Sequence, residues 1–140
     1  MNRNLVGILI TLAVSLLVSV PNTYAQSVTT ATVPFAFTVG ESEMPAGTYT
    51  ISHVSQSVIA IRERNTGKGV LSFVRPEWAG NSDRTPKLVF NKYSSKYFLS
   101  RVSPGFGNNP MQVPTSKLER EQRIASTRGA PEQEVVAAKK

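Results

Sequence analysis

A stretch of β-forming residues, 87–102, constrains the fold of this chain more than any other segment. Two runs rich in Val, Phe, Tyr and Leu flank Ser94-Ser95, a pattern typical of a β-hairpin. If the two serines form the whole loop, the cross-strand pairs are Phe90 with Leu99, Leu88 with Arg101, and Lys92 with Tyr97. One face of this hairpin is then apolar and the other is mixed. Because an isolated hairpin is only marginally stable in water, this one must pack against further strands.

Four further segments show the alternation of apolar and polar side chains that half-buried strands require. They cover residues 33–39, 48–54, 58–63 and 69–75. Pro34 cannot donate a ladder hydrogen bond, so the first of them is predicted either to be an edge strand or to begin pairing after this proline. In the last two, we expect Leu71 and Phe73 to meet Ile61 and Ile59 in the core.

Six short strands joined by turns indicate an all-β fold. We expect a small antiparallel meander of residues 26–114 that forms a sandwich or a partly open barrel. Ser116 and Glu119 have the spacing of a capping box, which predicts a short charged helix within residues 115–128. The tail, residues 129–140, has no pattern able to bury side chains, so we expect it to be disordered.

Residues 1–25 have the features of a secretory signal peptide. Arg3 gives a positive start, an apolar run covers residues 5–20, and Thr23 and Ala25 are the small residues of a cleavage site. The run is short for a membrane span, which needs about 20 apolar residues. We therefore expect cleavage after Ala25 and a periplasmic or secreted protein that contacts the membrane transiently. An uncleaved anchor is the alternative.

The chain is basic, with 16 Lys and Arg against 9 Asp and Glu, and it contains no cysteine. Without disulfides its stability must come from the core or from self-association, so a homo-oligomer is one expectation. Basic residues interleaved with aromatic ones can bind nucleic acid, but export argues against that partner. Solubilising charge, or attraction to anionic lipid or polysaccharide of the envelope, explains the excess better.

Four motifs carry a resemblance to a known family. They are Val33-Pro-Phe-Ala-Phe-Thr-Val39, Met44-Pro-Ala-Gly-Thr-Tyr-Thr-Ile51, Lys87-Leu-Val-Phe-Asn-Lys-Tyr93 with Tyr97-Phe-Leu, and Ser116-Lys-Leu-Glu-Arg-Glu121. The pattern spans residues 33–121 and resembles a family of small exported β-proteins of Gram-negative soil bacteria. The resemblance implies a signal peptide, a β-meander and a charged C-terminal helix. It implies no activity, because that family has none assigned.

Residues suited to catalysis are few. His53 is the only histidine and Asp83 the only aspartate, which argues against a zinc site or a Ser-His-Asp arrangement. Paired carboxylates for acid–base chemistry could be Glu41 with Glu43 or Glu119 with Glu121. A turn and a charged helix explain these pairs better than a glycosidase cleft does. We expect no catalytic residue, no metal and no cofactor, and a small hydrolase is the least favoured alternative.

Trp78 is the strongest candidate for a ligand contact. It lies in a polar loop with Asn81 and Arg84, where an indole ring can stack on a sugar or a peptide. The alternative is that the ring covers an open end of the sheet. Phe106, in the other long loop, and the mixed face of the hairpin are further candidate contacts. The sequence thus predicts a non-enzymatic binding or structural module of the periplasm or cell envelope, with an unknown envelope partner.

Overall fold

The computed structural model describes residues 28–78, 85–105, 109–126 and 129–139. These residues form one helix, α1 (Lys117–Ala125), and eleven strands, which confirms the predicted all-β fold. The strands are β1 (Thr29–Val33), β2 (Phe37–Val39), β3 (Ser42–Met44), β4 (Gly47–Ser55), β5 (Val58–Glu63), β6 (Gly69–Phe73), β7 (Arg75–Pro76), β8 (Lys87–Tyr93), β9 (Lys96–Ser103), β10 (Met111–Gln112) and β11 (Glu132–Lys139). The predicted signal peptide lies outside the described residues. No helix within them has the length and apolar content to cross a membrane.

The strands form one mixed sheet that curls into a nearly closed barrel. Their order is β3-β2-β9-β8-β11-β1-β4-β5-β6. β7 follows β6 directly in the chain. β10 lies between β7 and β9 and pairs with both, since Met111 lies opposite Pro76 of β7 and Val102 of β9. The pairings are antiparallel except for β2 with β9, which is parallel. Of the two predicted architectures, the barrel is therefore the one observed.

The barrel interior is filled by aliphatic and aromatic side chains from both halves of the sheet. The ring of Phe37 packs edge-on against Tyr49, with centroids 5.0 Å apart, and against Phe90 at 5.2 Å. Tyr49 and Phe90 are both fully buried. Such offset aromatic pairs add to the hydrophobic stabilisation of their burial, so this triad is a central element of the core.

The hairpin predicted from the sequence is β8–β9, and its loop is Ser94-Ser95. Phe90 lies opposite Leu99 and Lys92 opposite Tyr97, as predicted. A bulge between Val89 and Phe90 then shifts the register, so Leu88 lies opposite Val102 and not Arg101. The extra residue of the bulge is Ser100 in β9. Leu88 and Phe90 belong to the barrel core, whereas Val89 is buried outside that core cluster.

Ser94 adopts φ 55°, in the left-handed region that costs most L-residues about 1–2 kcal/mol and that asparagine tolerates better. We expect Ser94→Asn to raise the free energy of unfolding by roughly 0.5–1 kcal/mol because it relieves part of that cost. Ser95→Asn is the matched control, since Ser95 does not have a positive φ. Urea denaturation measures both variants, and equal effects would show that the backbone of Ser94 is not the cause.

The first predicted strand is in fact two strands. Val33, Phe37 and Val39 are buried as expected, but the chain leaves β1 after Val33 and enters β2 at Phe37. β1 pairs with β4 and β11, and β2 pairs with β3 and β9, so neither is an edge strand. The other alternative holds for β2, whose pairing begins after Pro34. Pro34 lies in the break, where no ladder N–H is needed.

In β6 the prediction was wrong by one residue. Ile59 and Ile61 are buried as expected, but they lie opposite Ser72 and Val70, and the side chains of Leu71 and Phe73 point to solvent. A shift of one residue moves every side chain of a strand to the other face. The shift is set by the turn between β5 and β6, where the buried Glu63 carboxylate accepts hydrogen bonds from the backbone of Asn65 and from Thr66.

The tail predicted to be disordered forms β11, which lies between β1 and β8. Six of its residues pair with β8, and Ala138 and Lys139 pair with β1. Ala138 is buried, and Val136 packs against the core. This short, polar segment is ordered because β1 and β8 provide hydrogen-bond partners for its backbone on both sides. The prediction failed because the composition of a segment does not reveal which strands will lie beside it.

Candidate functional site

Helix α1 covers the mixed outer face of the β8–β9 hairpin. Its buried carboxylate, Glu119, accepts hydrogen bonds at Oε1 from Asn91 Nδ2 at 2.8 Å and from the Tyr93 hydroxyl at 3.2 Å. The Phe98 ring packs against Tyr93 beneath it, with centroids 5.9 Å apart. The face that the sequence offered as a ligand contact is therefore occupied by the helix of the same chain.

The capping box predicted at the start of α1 is half present. The Glu119 backbone N–H donates to Ser116 Oγ at 3.1 Å, as an N-cap requires. The Glu119 side chain does not reach back to Ser116 but points into the sheet. The i,i+4 ion pair on this helix is Lys117 with Glu121 at 3.9 Å.

Between α1, the β2–β3 turn and the β8–β9 loop lies a groove of about 430 Å³. We refer to it as the helix groove. Its floor contains the buried rings of Phe37 and Phe98, and Leu118 and Ala125 of the helix contribute apolar surface. Its polar side chains are Thr38, Glu41, Glu43, Ser95, Lys96, Tyr97, Glu121 and Gln122. Its volume lies within the range of small-ligand sites, about 300–1,000 Å³, and an apolar floor beneath a mostly polar rim suits a ligand that has both an apolar and a charged part.

The rim of the helix groove is acidic although the whole chain is basic. Glu41, Glu43 and Glu121 lie on it with one cation, Lys96. Glu41 Oε1 accepts a hydrogen bond from the Lys117 backbone N–H at 3.0 Å and so helps to hold the helix start. Among the described residues, Glu43 and Lys96 form no ion pair, so both are available to a ligand.

Sequence reasoning did not find the helix groove. It identified Glu41 with Glu43 and Glu119 with Glu121, but it treated them as two unrelated local pairs. The structure brings three of the four to one rim and uses Glu119 as the anchor of the helix. The only sequence signal of this arrangement was the mixed composition of the hairpin face, which needed a cover.

Trp78 is 91% exposed, so its ring does not cover an open end of the sheet. It follows β7, and its neighbour Glu77 forms a two-point ion pair with Arg101, at 2.8 Å to Nε and 3.1 Å to Nη2. This pair fixes the backbone beside Trp78 and leaves the indole free. The other predicted contacts, Asn81, Arg84 and Phe106, lie outside the described residues.

His53 lies apart from the helix groove. It borders a shallow depression of about 290 Å³ with Gln56, Pro76, Asn109 and Met111. Its proposed catalytic partner Asp83 is outside the described residues. Within the described part of the chain, no three His, Asp or Glu side chains are close enough to hold a metal ion.

Two buried tyrosines predict how stability depends on alkaline pH. Burial raises the pKa of Tyr49 above its ordinary value of 10.0, and the nearby Glu63 carboxylate raises it further. Burial likewise raises the pKa of Tyr93, with further contributions from the charge of Glu119 and its hydrogen bond, while Arg123 opposes them. The folded protein therefore retains phenolic protons that the unfolded chain releases above about pH 10.

We expect this contribution to stability to be complete below about pH 10 and to be lost as the pH rises from the unfolded toward the folded pKa of these tyrosines. Urea denaturation at about pH 9 and about pH 11 measures the loss in wild type and in Tyr93→Phe. The variant is expected to lose less stability between the two pH values, because it has one fewer phenol to ionise. An unchanged pH dependence in Tyr93→Phe would contradict the assignment.

No family model matches this chain, and no curated protein or solved structure matches it either. Its function must therefore be argued from its own residues and geometry.

Proposed function

We propose that this chain is an exported, non-enzymatic β-domain that acts as a binding module of the periplasm or cell envelope, with the helix groove as its binding site. The observation that supports this most is the groove itself, in which an apolar floor meets a charged rim. Its acidic excess, against the basic balance of the chain, favours a small amphiphile with an apolar body and a positively charged group. A rim carboxylate attracts a partly desolvated cation in the groove more strongly than it would attract the same cation in bulk water.

Alkyl ions of matched length and opposite charge test the groove. Octylamine is expected to bind more tightly than octanoate in calorimetric titrations of the wild-type protein. Glu43→Gln should weaken octylamine binding several-fold, because it removes an unpaired carboxylate from the rim. Glu134→Gln is the matched control, since Glu134 lies on β11 and does not line the groove. Equal binding of the two ions, or equal effects of the two variants, would refute the proposed ligand class.

Trp78 is proposed as a second contact, for a sugar or a peptide, because its ring is exposed beside a rigid ion pair. It is the only tryptophan of the chain, so intrinsic fluorescence reports on it alone. A ligand that stacks on the ring should shift the emission to shorter wavelength and protect it from iodide quenching. If envelope polysaccharide and peptidoglycan fragments leave both signals unchanged, Trp78 is not such a contact.

Export is tested by cell fractionation of the full-length gene product with measurement of its intact mass. Soluble periplasmic protein that begins at Gln26 is the expected result. Mature protein that a salt wash releases from the membrane pellet would favour the alternative of a basic peripheral protein held by anionic lipid or polysaccharide. Full-length protein that resists the salt wash would mean that residues 5–20 act as an anchor.

A further inference from the structure

β6 is the last strand in the sheet order, and among the described residues it pairs only with β5. Two hydrogen bonds that flank the ladder fix its pattern: Val74 N–H donates to Ser57 O at 2.9 Å, and Glu63 N–H donates to Lys68 O at 2.7 Å. Antiparallel ladders alternate between bonded and non-bonded pairs. The backbone N–H and C=O groups of Gly69, Leu71 and Phe73 therefore point away from β5, toward the open edge.

The same residues carry the exposed apolar side chains of the strand. Leu71 is 66% exposed and Phe73 is 74% exposed, and Val54 of β4 is also exposed. Soluble proteins usually protect an exposed apolar edge strand, because it can pair with another chain. Phe73 O already accepts a hydrogen bond from Ser72 Oγ at 3.1 Å. The edge of β6 therefore offers a partner the remaining outward backbone groups and the exposed side chains of Leu71 and Phe73.

The surroundings of this edge are cationic. Arg62, Arg64, Lys68 and Arg75 are exposed, and none forms an ion pair with a described residue. Arg62 lies opposite Gly69 and shares the outer face with Leu71 and Phe73. The nearest carboxylate in sequence, Glu63, points inward and is used by the β5–β6 turn. The edge and its flanks therefore have a local positive charge.

We propose that β6 binds an extended acidic segment of another protein by strand addition. An incoming strand satisfies the outward N–H and C=O groups. On the face that it shares with Leu71 and Phe73, its central apolar residues cover these two side chains, and carboxylates at its ends neutralise Arg62 and the other flanking cations. A lipid surface would leave the backbone groups without ladder partners. A second copy of this chain paired edge to edge would bring the arginines and lysines of both copies together. The proposal does not depend on the helix groove.

The probe is a synthetic peptide of about seven residues, within the usual length of a strand, with the sequence Glu-Thr-Val-Thr-Val-Thr-Glu, so that the Glu and Val side chains all lie on one face. A peptide with Lys in place of every Glu is its matched control. Fluorescence anisotropy of the labelled peptides against the full mature chain measures both affinities. The Glu peptide is expected to bind at least about tenfold more tightly, and its binding should weaken with salt.

Leu71→Pro tests the backbone part of the proposal. Proline removes an N–H that points to the open edge, so no bond to β5 is lost and an edge position tolerates it. We expect the variant to keep the wild-type circular dichroism spectrum and to lose about tenfold in affinity for the Glu peptide. The control variant is Ile124→Lys, which changes an exposed apolar residue of α1 and should bind the Glu peptide normally. Proline is not used at this position because it would disrupt the helix.

Charge reversal provides an independent test that does not rely on a proline. The double variant Arg62→Glu and Arg64→Glu should bind the Lys peptide more tightly than the Glu peptide. Equal binding of the two peptides by wild type would overturn the proposal. Two other results would also overturn it. One is that the protein binds phosphatidylglycerol vesicles but neither peptide, and that Leu71→Pro does not weaken the vesicle binding. The other is that sedimentation shows a dimer, which Leu71→Pro dissociates but the Glu peptide does not.

Discussion

Deletion of residues 131–140 is expected to abolish cooperative folding of the barrel. β11 lies between β1 and β8, and its removal leaves each of these strands with one unpaired edge. The deletion removes a six-residue ladder with β8, the shorter pairing with β1, and the packing of Val136 and Ala138. At a net value of about 1 kcal/mol for each ladder hydrogen bond, the loss approaches the total stability of a typical domain, about 5–15 kcal/mol.

Thermal and urea denaturation of the truncated protein, followed by circular dichroism, measure this effect. A paired set of point variants separates the packing of β11 from the mere presence of the tail. Val136→Asp places a charge on the core side and should destabilise strongly, whereas Val135→Asp places it on the exposed side and should have little effect. A truncated protein with a wild-type melting transition would show that the tail does not complete the sheet.

Replacement of the buried carboxylate of α1 is the second large effect expected. Glu119→Ala leaves Asn91 Nδ2 and the Tyr93 hydroxyl without their partner beneath the helix. Removal of a buried charged acceptor costs about 1.5–3 kcal/mol for each hydrogen bond lost. With two hydrogen bonds lost, we expect a loss of about 3–6 kcal/mol, or a barrel that stays folded while α1 detaches, since the helix is short and exposed over most of its surface.

Hydrogen exchange of residues 117–125 distinguishes helix release from global unfolding. Glu121→Ala is the matched control, because it removes a carboxylate from the same helix that makes only a long, exposed ion pair. It should change stability by less than about 1 kcal/mol. Since α1 forms one wall of the helix groove, Glu119→Ala should also weaken octylamine binding. Normal exchange protection in Glu119→Ala would show that other contacts hold the helix.

The sequence alone predicted the hairpin and the inward residues of the middle strands. The pairing of Phe90 with Leu99 follows from a two-residue loop and a period of two, both of which are local properties. The bulge that moved Leu88 opposite Val102 is not local, since it depends on which side chains the rest of the barrel must cover. In β6 the alternation was visible, but its phase depended on the turn that Glu63 organises.

The candidate site shows the same division. Trp78 was a candidate from sequence, since an isolated tryptophan in a polar loop is recognisable, whereas Glu41 and Glu43 were noticed as a pair but were assigned to a turn. Their partners could not be identified, because the helix groove joins segments that are distant along the chain. A mixed hairpin face and a charged helix were both predicted, but only the packing of Glu119 on Asn91 showed that each covers the other.

The sequence by itself determined the all-β class, the main hairpin and the helix with its Ser116 cap, because these depend on side-chain periodicity and short-range hydrogen bonds. Only the tertiary structure decided that residues 132–139 are a strand, that the sheet closes through β7 and β10, and that Leu71 and Phe73 face outward. The physical reason is that the backbone hydrogen bonds of a strand are made with strands that are distant in the sequence. A polar tail becomes ordered when two strands with unpaired backbone groups lie on either side of it.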